Sequence, residues 1–133
     1  MTIDLAYVQE ILILVLKGIP TTLRLTFIPL LLALPFAFLL AVARQRNLKV
    51  LARVSQVYVS FIRGTPLIVQ ILVMYSIFPS LLNVFVKSRG IDFDVFGINP
   101  IYYAYIVFTL NTIAILSEVF RSALETVDKR QLE

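Results

Sequence analysis

The sequence predicts an all-α membrane protein with three transmembrane helices, and three observations carry that expectation. Residues 25–43, 64–86 and 95–117 are runs without a single charged side chain. A hydrocarbon core of ~30 Å takes roughly 20 residues of apolar helix to cross, and each run is long enough or nearly so. Hydrophobic residues make up 59% of the chain and charged residues 15%, more apolar surface than a chain this short has interior to hide. The charges that remain fall mostly between the runs.

The N-terminal stretch 1–9 carries Asp4 and no base, and no small-residue cleavage site follows a short apolar core, so it does not read as a signal peptide. Residues 7–24 alternate apolar Ile11, Leu12, Leu14, Val15 and Leu16 with Glu10, Lys17 and Arg24, and Gly18 and Pro20 interrupt the pattern. That layout predicts an interfacial helix feeding the first span. The first span covers about 25–43 and contains Pro29 and Pro35. Neighbouring helices re-satisfy freed carbonyls in a membrane bundle, so these prolines predict kinks and not a break.

The stretch 44–63 follows as a basic loop, holding Arg44, Arg46, Lys49, Arg53 and Arg63 and no acid. The second span is expected at about 64–86. Lys87, Arg89, Asp92 and Asp94 then mark a second loop, with Gly90, Gly97 and Pro100 as turn residues. A third span at about 99–120 opens on Tyr102, Tyr103 and Tyr105, which suit an aromatic belt at the membrane surface. From Ser117 onward the helix is expected to continue, because Glu118, Arg121 and Glu125 are spaced to pair along one face. Orientation follows from bases alone. The 44–63 loop and the C-terminal stretch hold eight Lys and Arg; the N-terminal stretch and the second loop hold four. The N-terminus is therefore expected outside and the C-terminus in the cytoplasm.

Several chemistries are excluded by what is missing. There is no cysteine and no histidine, so this chain offers no thiolate or imidazole to a metal and no histidine base. Its four glycines stand at 18, 64, 90 and 97, so no Gly-rich phosphate loop is present. The net charge of +4 belongs to inter-helix segments, which fits membrane topology and not nucleic acid.

The residues that point to a task surround the start of the second span. Arg63 is a topology anchor on its own, but Gly64, Thr65 and Pro66 follow it. Proline disfavours helix at the residue before it, and glycine lets another backbone approach closely. An interrupted helix near a charge is how transporters build cavities. Thr65 and Gln70 on the second span, with Asn111 and Glu118 on one face of the third, supply polar atoms to such a path. Glu118 has a second reading, a local ion pair with Arg121 at a helix end.

The string Phe61-Ile62-Arg63-Gly64-Thr65-Pro66-Leu67-Ile68-Val69-Gln70 closely resembles the signature of polar amino-acid permeases, the membrane subunits of bacterial ABC importers. Gly18-Ile19-Pro20-Thr21-Thr22-Leu23-Arg24-Leu25-Thr26 resembles the opening of the same subunits, and the stretch from Ser117 to Glu133 resembles their approach to the cytoplasmic Glu-Ala-Ala loop. The chain departs from that pattern at Ala114-Ile115-Leu116-Ser117 and at Arg130.

The resemblance implies a single transmembrane domain over 1–133, part of a type I ABC importer domain and its N-terminal portion. It implies a bacterial inner-membrane location and an import function for a small amino-acid substrate. The expected partners are a second permease subunit, cytoplasmic ATP-binding subunits, an extracytoplasmic solute-binding protein and membrane lipid. ATP and magnesium would be bound by the separate ATPase, with Gln131 and Glu133 of this chain near the coupling contact. The alternative is a small non-transporting membrane accessory or assembly protein.

Overall fold

A computed structural model describes residues 4–127. Five α-helices follow in order: α1 Leu5–Gln45, α2 Lys49–Gly64, α3 Leu67–Ser76, α4 Phe78–Ser88 and α5 Ile101–Val127, with a short 3-10 turn at Val95–Gly97 before α5. Three stretches are long and apolar enough to cross a membrane: α1, the pair α3–α4 taken as Leu67–Ser88, and α5.

The Asp4 carboxylate opens α1 by accepting from the Ala6 N–H at 3.2 Å. The amphipathic N-terminal stretch is helical, but it runs without a break into the first span. Pro20, Pro29 and Pro35 all lie inside the one helix. Each proline deletes a single ladder bond and leaves those on either side intact. The Thr22 hydroxyl also donates to the Gly18 carbonyl at 3.1 Å, and the Thr26 hydroxyl to Thr22 at 2.8 Å. At 1.5 Å per residue the 41-residue helix is about 60 Å long, so it outreaches a ~30 Å hydrocarbon core.

The helix stops on a left-handed residue. Asn47 takes φ 52°, which lets the Leu48 N–H reach the Ala43 carbonyl at 3.1 Å and the Asn47 N–H reach Arg44 at 3.3 Å. Asparagine tolerates this conformation, and the two bonds satisfy carbonyls that the helix end would orphan. Gly90, at φ 69°, closes α4 in the same way, with the Ile91 N–H on Val86 at 3.2 Å. Asn99 then opens α5 by accepting from Ile101 at 3.0 Å.

The stretch 44–63 is not a loop. It contains α2, whose Ser55, Val59 and Ile62 are buried, with Tyr58 packed against the same cluster. These positions recur at helical spacing and form the face that meets the bundle. The second span begins later than expected, at Leu67, because α2 ends at Gly64. It is also divided at Ile77, where Pro79 of the next turn has no N–H to continue the ladder.

Packing is thin and concentrated between α1 and α5. Ala33, Ala37 and Ala41 are fully buried, and Ala33 and Ala37 cluster with Ile113. The methyl side chains, one every four residues, bring the α1 backbone close to α5, as small residues do where membrane helices cross. Leu40, Leu116 and Phe120 pack around them, and Phe38 meets Phe120 edge to face at 6.0 Å. No residue of α3 or α4 is buried. Large side chains such as Leu31, Leu39, Leu72 and Val84 face outward, as lipid-facing helices require.

Leucine at position 37 therefore has no room. Ala37→Leu should destabilise the fold by about 1–3 kcal/mol through overpacking, read as an earlier midpoint when mild detergent is titrated with dodecyl sulfate. Leu39→Ala, at a residue 61% exposed, should leave the midpoint nearly unmoved; equal effects would contradict the packing described.

Candidate functional site

Two polar clusters interrupt the otherwise apolar bundle. The first surrounds the break between α2 and α3. Thr65 and Pro66 are extended, at φ −110° ψ 134° and φ −59° ψ 137°. The proline ring is the cause, since it disfavours helix at Thr65 and offers no N–H. A break leaves the last carbonyls of α2 without backbone donors, and side chains take them over. The Thr65 hydroxyl lies 2.9 Å from the Phe61 carbonyl and 3.3 Å from Ile62. The Gln70 amide reaches back from α3 and donates to Ile62 at 3.0 Å, to the Thr65 carbonyl at 3.1 Å and to the Thr65 hydroxyl at 2.8 Å.

Gln70 also ties the break to α5. Its side-chain oxygen accepts from Asn111 Nδ2 at 3.5 Å. About two turns of α2 before the break, the Tyr58 hydroxyl donates to the Leu110 carbonyl beside Asn111. Burial pushes the Tyr58 phenol up from 10.0 to about 12, so it stays a neutral donor. Thr65, Gln70 and Asn111 are thus brought into one connected chain of hydrogen bonds. Tyr58 belongs to this group although its polar role was not anticipated. Its position on the Ser55–Val59–Ile62 face was the available signal.

Arg63 and Gly64, by contrast, are exposed. A Cβ built on Gly64 meets no atom within 4 Å, so the close backbone approach expected there is not made within this chain. Gly64 serves here as the last residue of α2. Pro66 acts as expected, enforcing the break.

The second cluster lies two turns further along α5, about 10 Å from Asn111 by helical rise. Glu118 sits between two arginines. One oxygen pairs with Arg44, from the last turn of α1, and the other with Arg121 Nη2 at 3.3 Å. Arg121 continues to Glu125 at 2.6 Å. The Arg44 and Glu118 side chains are 12% and 21% exposed, so their charges are largely withdrawn from solvent. The local pair of Glu118 with Arg121 is made, and Arg44, which lies 74 positions away in sequence, joins it as a second partner that neither reading named. The structure places Glu118 in this ion pair and apart from the Thr65–Gln70–Asn111 chain. Gln131 and Glu133 lie outside the described residues.

The aromatic opening of α5 is only partly a surface belt. Tyr102 is 58% exposed, but Tyr103 is 5% exposed, with its ring against the edges of Tyr75 and Phe78 at 5.8 and 6.0 Å. Tyr75 donates to the Pro100 carbonyl at 2.7 Å, which fixes α3 against the start of α5. Among the described residues no group of acidic side chains is arranged to hold a metal ion.

A multi-pass α-helical membrane protein, its second crossing broken and tied by side-chain amides to its third, is the class that this fold and these clusters define. Residues 33–133 match the family described as the binding-protein-dependent transport system inner membrane component, and the chain belongs to that family. Its fold class is the transmembrane domain of a type I ABC importer. The chain is 34% identical over 133 residues to the probable amino-acid ABC transporter permease protein PatM of Vibrio harveyi, covering 100% of this chain and 55% of that relative. It is 36% identical over 129 residues to the putative glutamine transport system permease protein GlnP of Rickettsia prowazekii, covering 97% and 53%. The L-cystine transport system permease protein TcyL of Bacillus subtilis is 30% identical over 115 residues, covering 86% and 46%. The chain spans about half the length of these relatives. No solved structure matches it.

The Arg44–Glu118 pair makes a measurable claim. In a double-mutant cycle, Arg44→Ala and Glu118→Ala should each cost about 3 kcal/mol by stranding a partly buried charge, with a coupling of about 1–3 kcal/mol. Equilibrium unfolding in mixed detergent reads both. Additive losses would show that Arg121 alone holds Glu118.

Proposed function

We propose that this chain forms part of the translocation path of an ATP-driven importer for polar amino acids. The observation that carries the reading is the polar chain Thr65–Gln70–Asn111 at a helix break inside an apolar bundle. Polar side chains in a membrane are costly and mark paths, and discontinuous helices border the binding sites of transporters. The names of the relatives, which include amino-acid, glutamine and L-cystine transport, support the substrate class.

In this proposal residues 1–133 are one transmembrane domain that pairs with a second permease subunit to enclose the path. An extracytoplasmic binding protein delivers the amino acid, and a separate cytoplasmic ATPase binds ATP and magnesium and drives alternating access. Gln131 and Glu133 would lie toward the ATPase contact. Thr65, Gln70 and Asn111 present hydrogen-bonding groups that exchange partners as the break rearranges, while Glu118 holds α1 and α5 together at one end. In this proposal the N-terminus lies outside, a reading supported by the count of eight bases against four. The accessory-protein alternative is not favoured, since the relatives at 30–36% identity are named as permeases.

The test is uptake of labelled amino acids in cells that express the whole system. Gln70→Leu should lower the uptake rate at least roughly tenfold at unchanged membrane abundance, because its carbonyl partners lose their donor. In the same cells a cysteine in place of Asn47 should stay unlabelled by an impermeant maleimide until the membrane is opened. Undiminished uptake in Gln70→Leu would remove the polar chain from the path; labelling in intact cells would invert the topology.

A further inference from the structure

The helix α2 has a face that the bundle does not use. Val50, Val54, Val57 and Phe61 are 78%, 59%, 67% and 65% exposed. Their spacing of four, three and four residues aligns them in one stripe along the helix. At 3.6 residues per turn this stripe is turned about a third of the circumference away from Ser55, Val59 and Ile62, which meet the bundle. Lys49 and Arg53 flank it on the side away from the bundle face. Helix α2 itself is not one of the crossing stretches.

The stripe runs into an open groove of about 1170 Å³ between the ends of α1 and α5 and the start of α2. Val50 and Val54 line this groove together with Arg44, Lys49, Arg53 and Arg121. Glu125 also lines it, but its carboxylate is engaged by Arg121. Arg44 and Arg121 are committed to Glu118. Lys49 and Arg53 enter no ion pair among the described residues, and no acid occurs in sequence between Glu10 and Asp92. They stand four residues apart on one helix, so their Cβ atoms are about 5–6 Å apart and both side chains reach a single phosphate.

An apolar stripe beside unpaired bases complements a molecule that is itself apolar and anionic. We infer that α2 lies in the membrane interface and binds an anionic phospholipid, with Lys49 and Arg53 on the headgroup phosphate and the acyl chains against Val50, Val54, Val57 and Phe61. Helices of this kind bury the apolar face at the headgroup boundary and draw on anionic lipid for their charge. The lipid then sits directly beside the ion pair that joins α1 to α5 and one helix away from the Thr65–Pro66 break. This assignment is independent of what the protein transports.

The 133 residues contain no tryptophan, so Phe61→Trp installs one fluorophore on the stripe. The variant is reconstituted into phosphatidylcholine bilayers in which either phosphatidylglycerol or phosphatidylcholine carries brominated acyl chains. Quenching by both lipids is expected, with phosphatidylglycerol enriched around the tryptophan roughly five- to thirtyfold over the bulk lipid. Adding Lys49→Gln and Arg53→Gln should remove the enrichment while leaving quenching by brominated phosphatidylcholine and the helix content unchanged; Lys49→Arg should preserve it. Absence of quenching by either lipid would place the stripe against water or protein and overturn the inference. Equal quenching by the two lipids, or enrichment that survives loss of both bases, would overturn the headgroup site. Displacement of the lipid by co-reconstituted ATPase subunits would assign the groove to a protein partner and overturn it as well.

Discussion

The rest of this structure depends on the close crossing of α1 and α5. Ala33, Ala37 and Ala41 put three buried methyl side chains in a row on the face of α1 that meets α5, so the two backbones approach where bulkier residues would hold them apart. In lipid there is no hydrophobic force to drive helices together, and close packing with a few polar contacts must do so. The ion pair from Arg44 to Glu118 closes the crossing at one end. Helices α2 and α3 are then placed by what they touch on α5: Tyr58 on Leu110, Gln70 on Asn111, and Tyr75 on Pro100.

The same environment explains why the helix break carries so many side-chain bonds. An unmet carbonyl costs several kcal/mol at membrane depth, and Pro66 creates such carbonyls by ending α2. Gln70 reaches three acceptors and is itself held by Asn111. The break is therefore stabilised without being sealed, because each of these bonds is made by a rotatable side chain. A rigid backbone ladder would not allow such an exchange of partners.

Much of this was legible in the sequence. The charge-free runs located three crossings, and Arg63-Gly64-Thr65-Pro66 marked the place where the chain breaks. The polar residues Thr65, Gln70 and Asn111 stood out because polar groups are rare within apolar runs. Helix α2 was less visible, since its bases drew it into the loop count and masked the helical spacing of Ser55, Tyr58, Val59 and Ile62. The second partner of Glu118 was not legible at all. Local spacing favours Arg121, and nothing in a linear reading brings Arg44 across 74 positions. Gly18 and Pro20 gave a break that the long α1 ladder does not make, and Gly64 gave a backbone approach that this chain does not contain.

Because the chain has no native cysteine, the α1–α5 crossing can be measured by oxidative cross-linking in membranes. Ala37→Cys combined with Ile113→Cys should form an intramolecular disulfide rapidly, since both residues belong to one buried cluster. Leu39→Cys combined with Ile113→Cys should not, because Leu39 turns outward. Equal cross-linking by the two pairs, or none by the first, would contradict the crossing on which the fold and its polar clusters rest.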